Sequence, residues 1–253
     1  MTRGVRMLER GLLGRAQPCP LASVRSAVSV ASDQTWCMRC GAAIDSLTTM
    51  PQRVSVGSGP RCATCRVTPR FDGFVRLGSY RPPLDALVRH AKERSWHAVV
   101  WELGWHLGNE VERRFLAPKM GWRIVASPTS MWRRLARGID HTNVLASAVA
   151  SRLHSPNIKA LRVGRRTRQA GLDRHERLHR ARSMHCSQRA AIQLSGHGVL
   201  VVDDIRTTGA TLIEACSVVR EAGAEFIVPA VICVADMTPV SMKRSEVFAS
   251  ECG

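Results

Sequence analysis

A chain of 253 residues with 45% apolar and 23% charged residues can bury an α/β core plus a small accessory module, which excludes a disordered or fibrous protein. It has no apolar run of the roughly eighteen residues a membrane-spanning helix needs, and its first residues lack the apolar centre of a secretory signal, so a cytoplasmic protein is expected. The 37 Lys and Arg against 20 Asp and Glu leave a net charge of +17, which draws phosphates on nucleic acid or a small polyanion or simply reflects solvated surface arginine.

In chain order, residues 1–35 are basic, rich in Ser and Ala and weakly periodic, and are expected to be loosely ordered. Residues 36–68 form a four-cysteine module, with Cys37 and Cys40 in one CxxC pair and Cys62 and Cys65 in the next. Each pair offers two sulfurs from one tight turn, and together they complete a tetrahedral shell suited to structural Zn²⁺. Redox thiols or an iron–sulfur cluster are the other uses of such a set. The remaining cysteines, Cys19, Cys186, Cys216, Cys233 and Cys252, follow no spacing rule, so no disulfide framework is expected.

Residues 69–120 read as a helical linker. A short strand is expected over Phe74–Tyr80, then a helix after Pro82-Pro83 carrying Leu84, Leu87, Val88 and Ala91 at helical spacing. A second helix runs from about Trp96 to Phe115. Its Trp96, Trp101 and Trp105 fit either helix packing or a platform for stacked bases. From residue 121 to 236 strands and helices alternate, which argues for a mostly parallel sheet flanked by helices. The expected pieces are the strand Ile124–Ala126, a helix over Asn143–Leu153, strands at Ala160–Val163 and Val199–Val202, a helix over Thr211–Glu221 closed by Gly223, and the strand Phe226–Val234. Residues 237–253 form an irregular tail.

The stretch from Val199 to Leu212 is the most informative. An apolar strand delivers Asp203 and Asp204 to its carboxyl end, where open α/β sheets bind ligands. Thr207, Thr208, Gly209, Ala210 and Thr211 then open a helix whose free N–H groups and dipole suit an anion. Carboxylates beside a phosphate turn can accept ribose hydroxyls or hold Mg²⁺. The plainer alternative is a helix cap and an ordinary turn.

This stretch resembles the phosphoribosyl diphosphate signature of type I phosphoribosyltransferases, and residues 36–236 resemble the ComF (competence protein F-like) family. The resemblance implies a type I phosphoribosyltransferase-like sheet with an N-terminal zinc-finger module. It implies that Asp203 and Asp204 contact ribose hydroxyls and that residues 207–211 cradle the 5-phosphate. Ser127, Pro128 and Thr129 match the family's pyrophosphate loop, and Arg134 and Arg137-Gly138 its basic stretch. In Arg166-Thr167-Arg168-Gln169, Leu172 and Glu176-Arg177, the Thr, Gln, Leu and Glu-Arg resemble those positions of the family's segment before the signature strand, and the arginines clustered there, Arg166 and Arg168 among them, suit a pyrophosphate. Ile139, Asp140 and His141 depart from the family's aromatic residue followed by Asn-Gln, and Arg180 stands where the family has asparagine.

Two readings follow. One is a protein that binds phosphoribosyl diphosphate with Mg²⁺ and displaces pyrophosphate by an acceptor. The other is a non-catalytic nucleotide- or single-stranded-DNA-binding module of DNA uptake or repair. A scaffold with vestigial sites is a third.

Overall fold

The computed structural model describes residues 20–31, 35–44, 54–63, 65, 71–90, 97–118, 121–128, 140–163 and 184–235. Its elements in order are α1 (Pro20–Ala31), β1 (Val75–Ser79), α2 (Leu84–His90), α3 (His97–Arg114), β2 (Trp122–Ala126), α4 (His141–Arg152), β3 (Leu161–Val163), β4 (Met184–Cys186), α5 (Gln188–Leu194), β5 (Gly198–Arg206), α6 (Ala210–Glu221) and β6 (Phe226–Val234). Among the described residues no helix is long and apolar enough to cross a membrane.

Four strands form one sheet in the order β1-β6-β5-β2, and every pair in it is parallel. Both faces must then be covered, and the central strands read as nearly continuous apolar runs for that reason. Leu200 and Val202 of β5 point into a core built with α1, α2, α3 and α4. Val199 and Val201 alternate into a second core with α5 and α6. The expected fold class, a parallel sheet flanked by helices with a cysteine module ahead of it, is the observed one.

Two expectations need correction. Residues 20–31, expected to be loosely ordered, form α1, with Val24 and Ala27 buried in the first core. Its buried stripe is made of small residues, which a Ser/Ala-rich context hides. The strand expected over Val199–Val202 continues to Arg206, paired with β6 through Arg206 and Val234. The acids therefore sit within a strand rather than beyond it. β4 and α5, short and polar, were not anticipated from the sequence. Trp101 and Trp105 are 38% exposed each, so they lie on the surface of α3 and not in its core, and Trp96 lies outside the described residues.

Candidate functional site

All four parallel strands end at one edge of the sheet. β2 stops pairing with β5 at Ala126 and Val202, and the next residue, Ser127, donates its N–H to the Val202 carbonyl at 2.8 Å. There the two chains diverge, and Asp203 and Asp204 emerge on β5, both half-buried. The Asp204 N–H donates to Asp203 Oδ1 at 2.9 Å, and the Ile205 N–H to Asp204 Oδ1 at 2.8 Å. Burial, and then the neighbouring Asp204 carboxylate, push the Asp203 carboxyl up to about 7, against hydrogen bonds from the Asp204 N–H and the Ser127 hydroxyl. A carboxyl so placed holds its proton near neutrality until a cation or a hydrogen-bond donor favours the ionised form.

The turn that follows ends at Gly209 with φ +81°, a left-handed conformation that glycine adopts without strain. Gly209 caps α6 with no side-chain hydrogen bond, whereas α4 is capped by Asp140 and α5 by Ser187. The Thr208 hydroxyl accepts from the Ala210 N–H at 3.4 Å. Thr207, Thr208 and Ala210 are exposed, Thr211 is half-exposed and Gly209 is buried. α6 thus presents N–H groups at an open turn beside two carboxyls, an arrangement suited to an anion carrying hydroxyls.

Of the residues expected on the pyrophosphate side, Ser127 and Pro128 lie among the described residues. Ser127, expected there, is buried at 3% exposure, with its N–H on Val202 and its hydroxyl on Asp203. It supports the acid pair. Pro128 is half-buried beside it. Thr129, Arg134, Arg137, Gly138, Arg166, Arg168 and Arg180 lie outside the described residues. β3 and β4 pair antiparallel, and the Met184 N–H at the start of β4 donates to Glu214 Oε1 of α6 at 2.8 Å. The departure at residue 140 has a local role, since Asp140 accepts from the Asn143 N–H at 3.3 Å and starts α4.

The cysteine pairs converge. Sγ atoms of Cys37, Cys40, Cys62 and Cys65 all lie within 4.8 Å of one another. A Zn²⁺ tetrahedron with bonds of about 2.3 Å has sulfur–sulfur edges of about 3.8 Å, and the Cys40–Cys62 separation is 3.7 Å. The Arg39 N–H donates to Cys37 Sγ at 3.4 Å, and the Cys37 N–H donates to the Ala42 carbonyl at 2.8 Å. As bare thiols the set is strained electrically. A hydrogen bond from Cys40 draws Cys37 down to about 4. Cys40 is pushed up by donating to Cys37 and by burial, and Cys65 by burial. Such a cluster is compatible with a structural metal that takes four thiolates. The other buried thiols, Cys216 and Cys233, lie in α6 and β6 as expected, and burial pushes Cys216 up.

The phosphoribosyl transferase domain family matches residues 143–251. Competence protein F of Haemophilus influenzae is 28% identical over 174 residues, spanning 66% of this chain and 75% of that protein. DNA utilization protein YhgH of Escherichia coli K12 is 26% identical over 202 residues, spanning 78% and 82%. A solved structure of the allosteric regulatory enzyme of purine biosynthesis aligns with a TM-score of 0.37 at 18% identity, covering 54% of this chain and 26% of that one.

Proposed function

We propose that the chain is a ComF-like member of the phosphoribosyltransferase superfamily, that it binds phosphoribosyl diphosphate with Mg²⁺ and that it transfers the phosphoribosyl group to an acceptor. The observation that carries this is the pair of acids on β5 just past the last residue it pairs with β2, followed by the left-handed Gly209 at the start of α6. Thr207, Thr208, Gly209, Ala210 and Thr211 hold the 5-phosphate. Asp203 and Asp204 accept the ribose hydroxyls and, as hard oxygen donors, suit Mg²⁺. The cation neutralises charge on the pyrophosphate. Pro128 and Thr129, with Arg166 and Arg168, hold that leaving group, while Ser127 orients Asp203. In the reaction the acceptor's lone pair bonds the anomeric carbon, the carbon–oxygen bond to pyrophosphate breaks, and the electron pair leaves with pyrophosphate. The protein supplies positioning and electrostatic stabilisation. Cys37, Cys40, Cys62 and Cys65 hold one structural Zn²⁺.

Calorimetric titration of zinc-loaded protein with phosphoribosyl diphosphate and Mg²⁺ tests the reading. Micromolar binding is expected in the parent and none in the Asp203→Asn/Asp204→Asn variant, followed by pyrophosphate release when acceptors are screened. No heat and no thermal stabilisation from a folded, zinc-loaded protein would overturn it.

A second reading is favoured by two specific observations, the name of one relative, DNA utilization protein, and the net charge of +17. In it the protein binds single-stranded DNA during uptake or utilisation, through its basic surface and cysteine module, independently of the acid pair.

A further inference from the structure

The cysteine module reaches both ends of α6 through the residues just before β1. Gly41, next to Cys40, has φ +73°, and a Cβ there would lie 2.2 Å from Cε1 of Phe74. The turn after Cys40 thus rests on the Phe74 ring. The guanidinium of Arg206 lies 5.9 Å from the centre of the same ring, and a Cβ on Gly209 would sit 3.2 Å from Arg206 Nε. Contact therefore runs from the residue beside a metal ligand, through Phe74 and Arg206, to the cap of α6. Trp36, beside Cys37, fixes the other flank by donating to the Phe74 carbonyl at 3.4 Å.

A second route reaches the far end of α6. Arg39, between Cys37 and Cys40, donates to the carbonyls of Phe71 at 2.8 Å and Gly57 at 2.6 Å. Its guanidinium lies 3.9 Å from Asp72 Oδ1. Asp72 Oδ2 accepts from Arg220, in the last turn of α6, at 2.9 Å, and from the Ile227 N–H of β6 at 2.9 Å. A half-buried carboxylate is thus shared by the metal knuckle, the end of α6 and the strand after it.

We propose that the metal knuckle positions the phosphate turn, so that metal binding by the four cysteines and ligand binding at residues 203–211 strengthen one another through Phe74–Arg206 and Arg39–Asp72–Arg220. This rests on the phosphoribosyl reading of the turn. Two sites that bias one packed element must be coupled reciprocally. With the knuckle ordered by metal, Phe74 and Asp72 keep fixed partners, and α6 is held at both ends. Arg39, Asp72 and Arg220 are positioning residues, remote from the reacting atoms.

The test uses full-length protein and measures its zinc dissociation constant by competition with a chelator, with and without saturating phosphoribosyl diphosphate and Mg²⁺. The ligand is expected to tighten zinc about fivefold or more. The Asp203→Asn/Asp204→Asn variant, which should keep its zinc and lose the ligand, corrects for zinc taken directly by the phosphates. Asp72→Asn and Arg220→Gln should still bind one zinc and the ligand, but with a smaller coupling factor carried by Phe74–Arg206 alone, and Arg220→Lys should restore it. Ligand binding that leaves zinc affinity unchanged in the parent overturns the coupling alone. Coupling undiminished in both variants also overturns it. Absence of ligand binding removes the phosphoribosyl reading and this inference with it.

Discussion

Above about pH 4 the side chain of Asp203 works increasingly against folding, and in full above about pH 7. Its carboxyl is raised from 3.8 to about 7 by burial and by Asp204. Below about pH 4 both folded and unfolded forms are protonated, and between there and about pH 7 only the unfolded form ionises. Unfolding then releases a proton, so stability falls as pH rises and the loss is complete above about pH 7. Asp203→Asn cannot ionise. Without ligand it should melt above the parent at about pH 8, by the equivalent of a few kcal/mol, and the gap should close near pH 4. Equal gaps at both pH values in a thermal melt would refute the role of ionisation. On the phosphoribosyl reading, the same shift should make affinity for phosphoribosyl diphosphate and Mg²⁺ rise as pH passes through about 7, because that ligand would take the carboxylate. At this scale the acids and the Thr-Thr-Gly turn were legible, because strand, acids, turn and helix follow one another along the chain. The support from Ser127 was not, since it joins β2 to β5 through space, and neither were Asp72, Arg39 and Phe74, whose partners lie in other elements.

Helices α3 and α4 cross at unusually close range. A Cβ on Gly104 would lie 2.6 Å from the Leu145 carbonyl oxygen, and one on Gly108 would lie 2.8 Å from Arg152 Cβ. Arg152 then reaches back to Asn109 and Glu112 across the same contact. Gly104→Ala should gain up to about 1 kcal/mol of helix propensity but force α4 away from its seat. A net loss of about 1–3 kcal/mol is expected from overpacking, read as a lower denaturation midpoint at unchanged slope. A more stable variant would show that α4 shifts without cost. The elements with long apolar periods, α3, α6 and β6, were legible to within a few residues. α1 was not, because its buried Val24 and Ala27 are small and sit in a Ser/Ala-rich run. β5 was read too short because Asp203 and Asp204 look like a strand end, although their backbones continue the ladder with β6.

The parallel sheet was legible in the alternation of strands and helices, but its order was not, because nothing local makes β1 pair with the last strand, β6. The convergence of the cysteine pairs was legible from their spacing, while the seat of the module against α6 depends on that sheet order. Charge is the remaining property of the whole molecule, and it separates the two functional readings. On the second reading, an excess of 17 positive charges should give single-stranded DNA binding that depends on counterion release and not on particular bases. For four neutralised phosphates, affinity should fall roughly 50-fold between about 50 and 200 mM salt. A ligand held by Asp203, Asp204 and the α6 turn should be far less sensitive, since its contacts are few and partly buried. Fluorescence anisotropy with a labelled oligonucleotide, run on the parent and on Asp203→Asn/Asp204→Asn, distinguishes them. A steep salt slope shared by both proteins assigns DNA to the basic surface and leaves the acid pair to the phosphoribosyl ligand. DNA affinity that changes with the double variant would place the nucleic acid at the carboxyl edge of the sheet and undo that division.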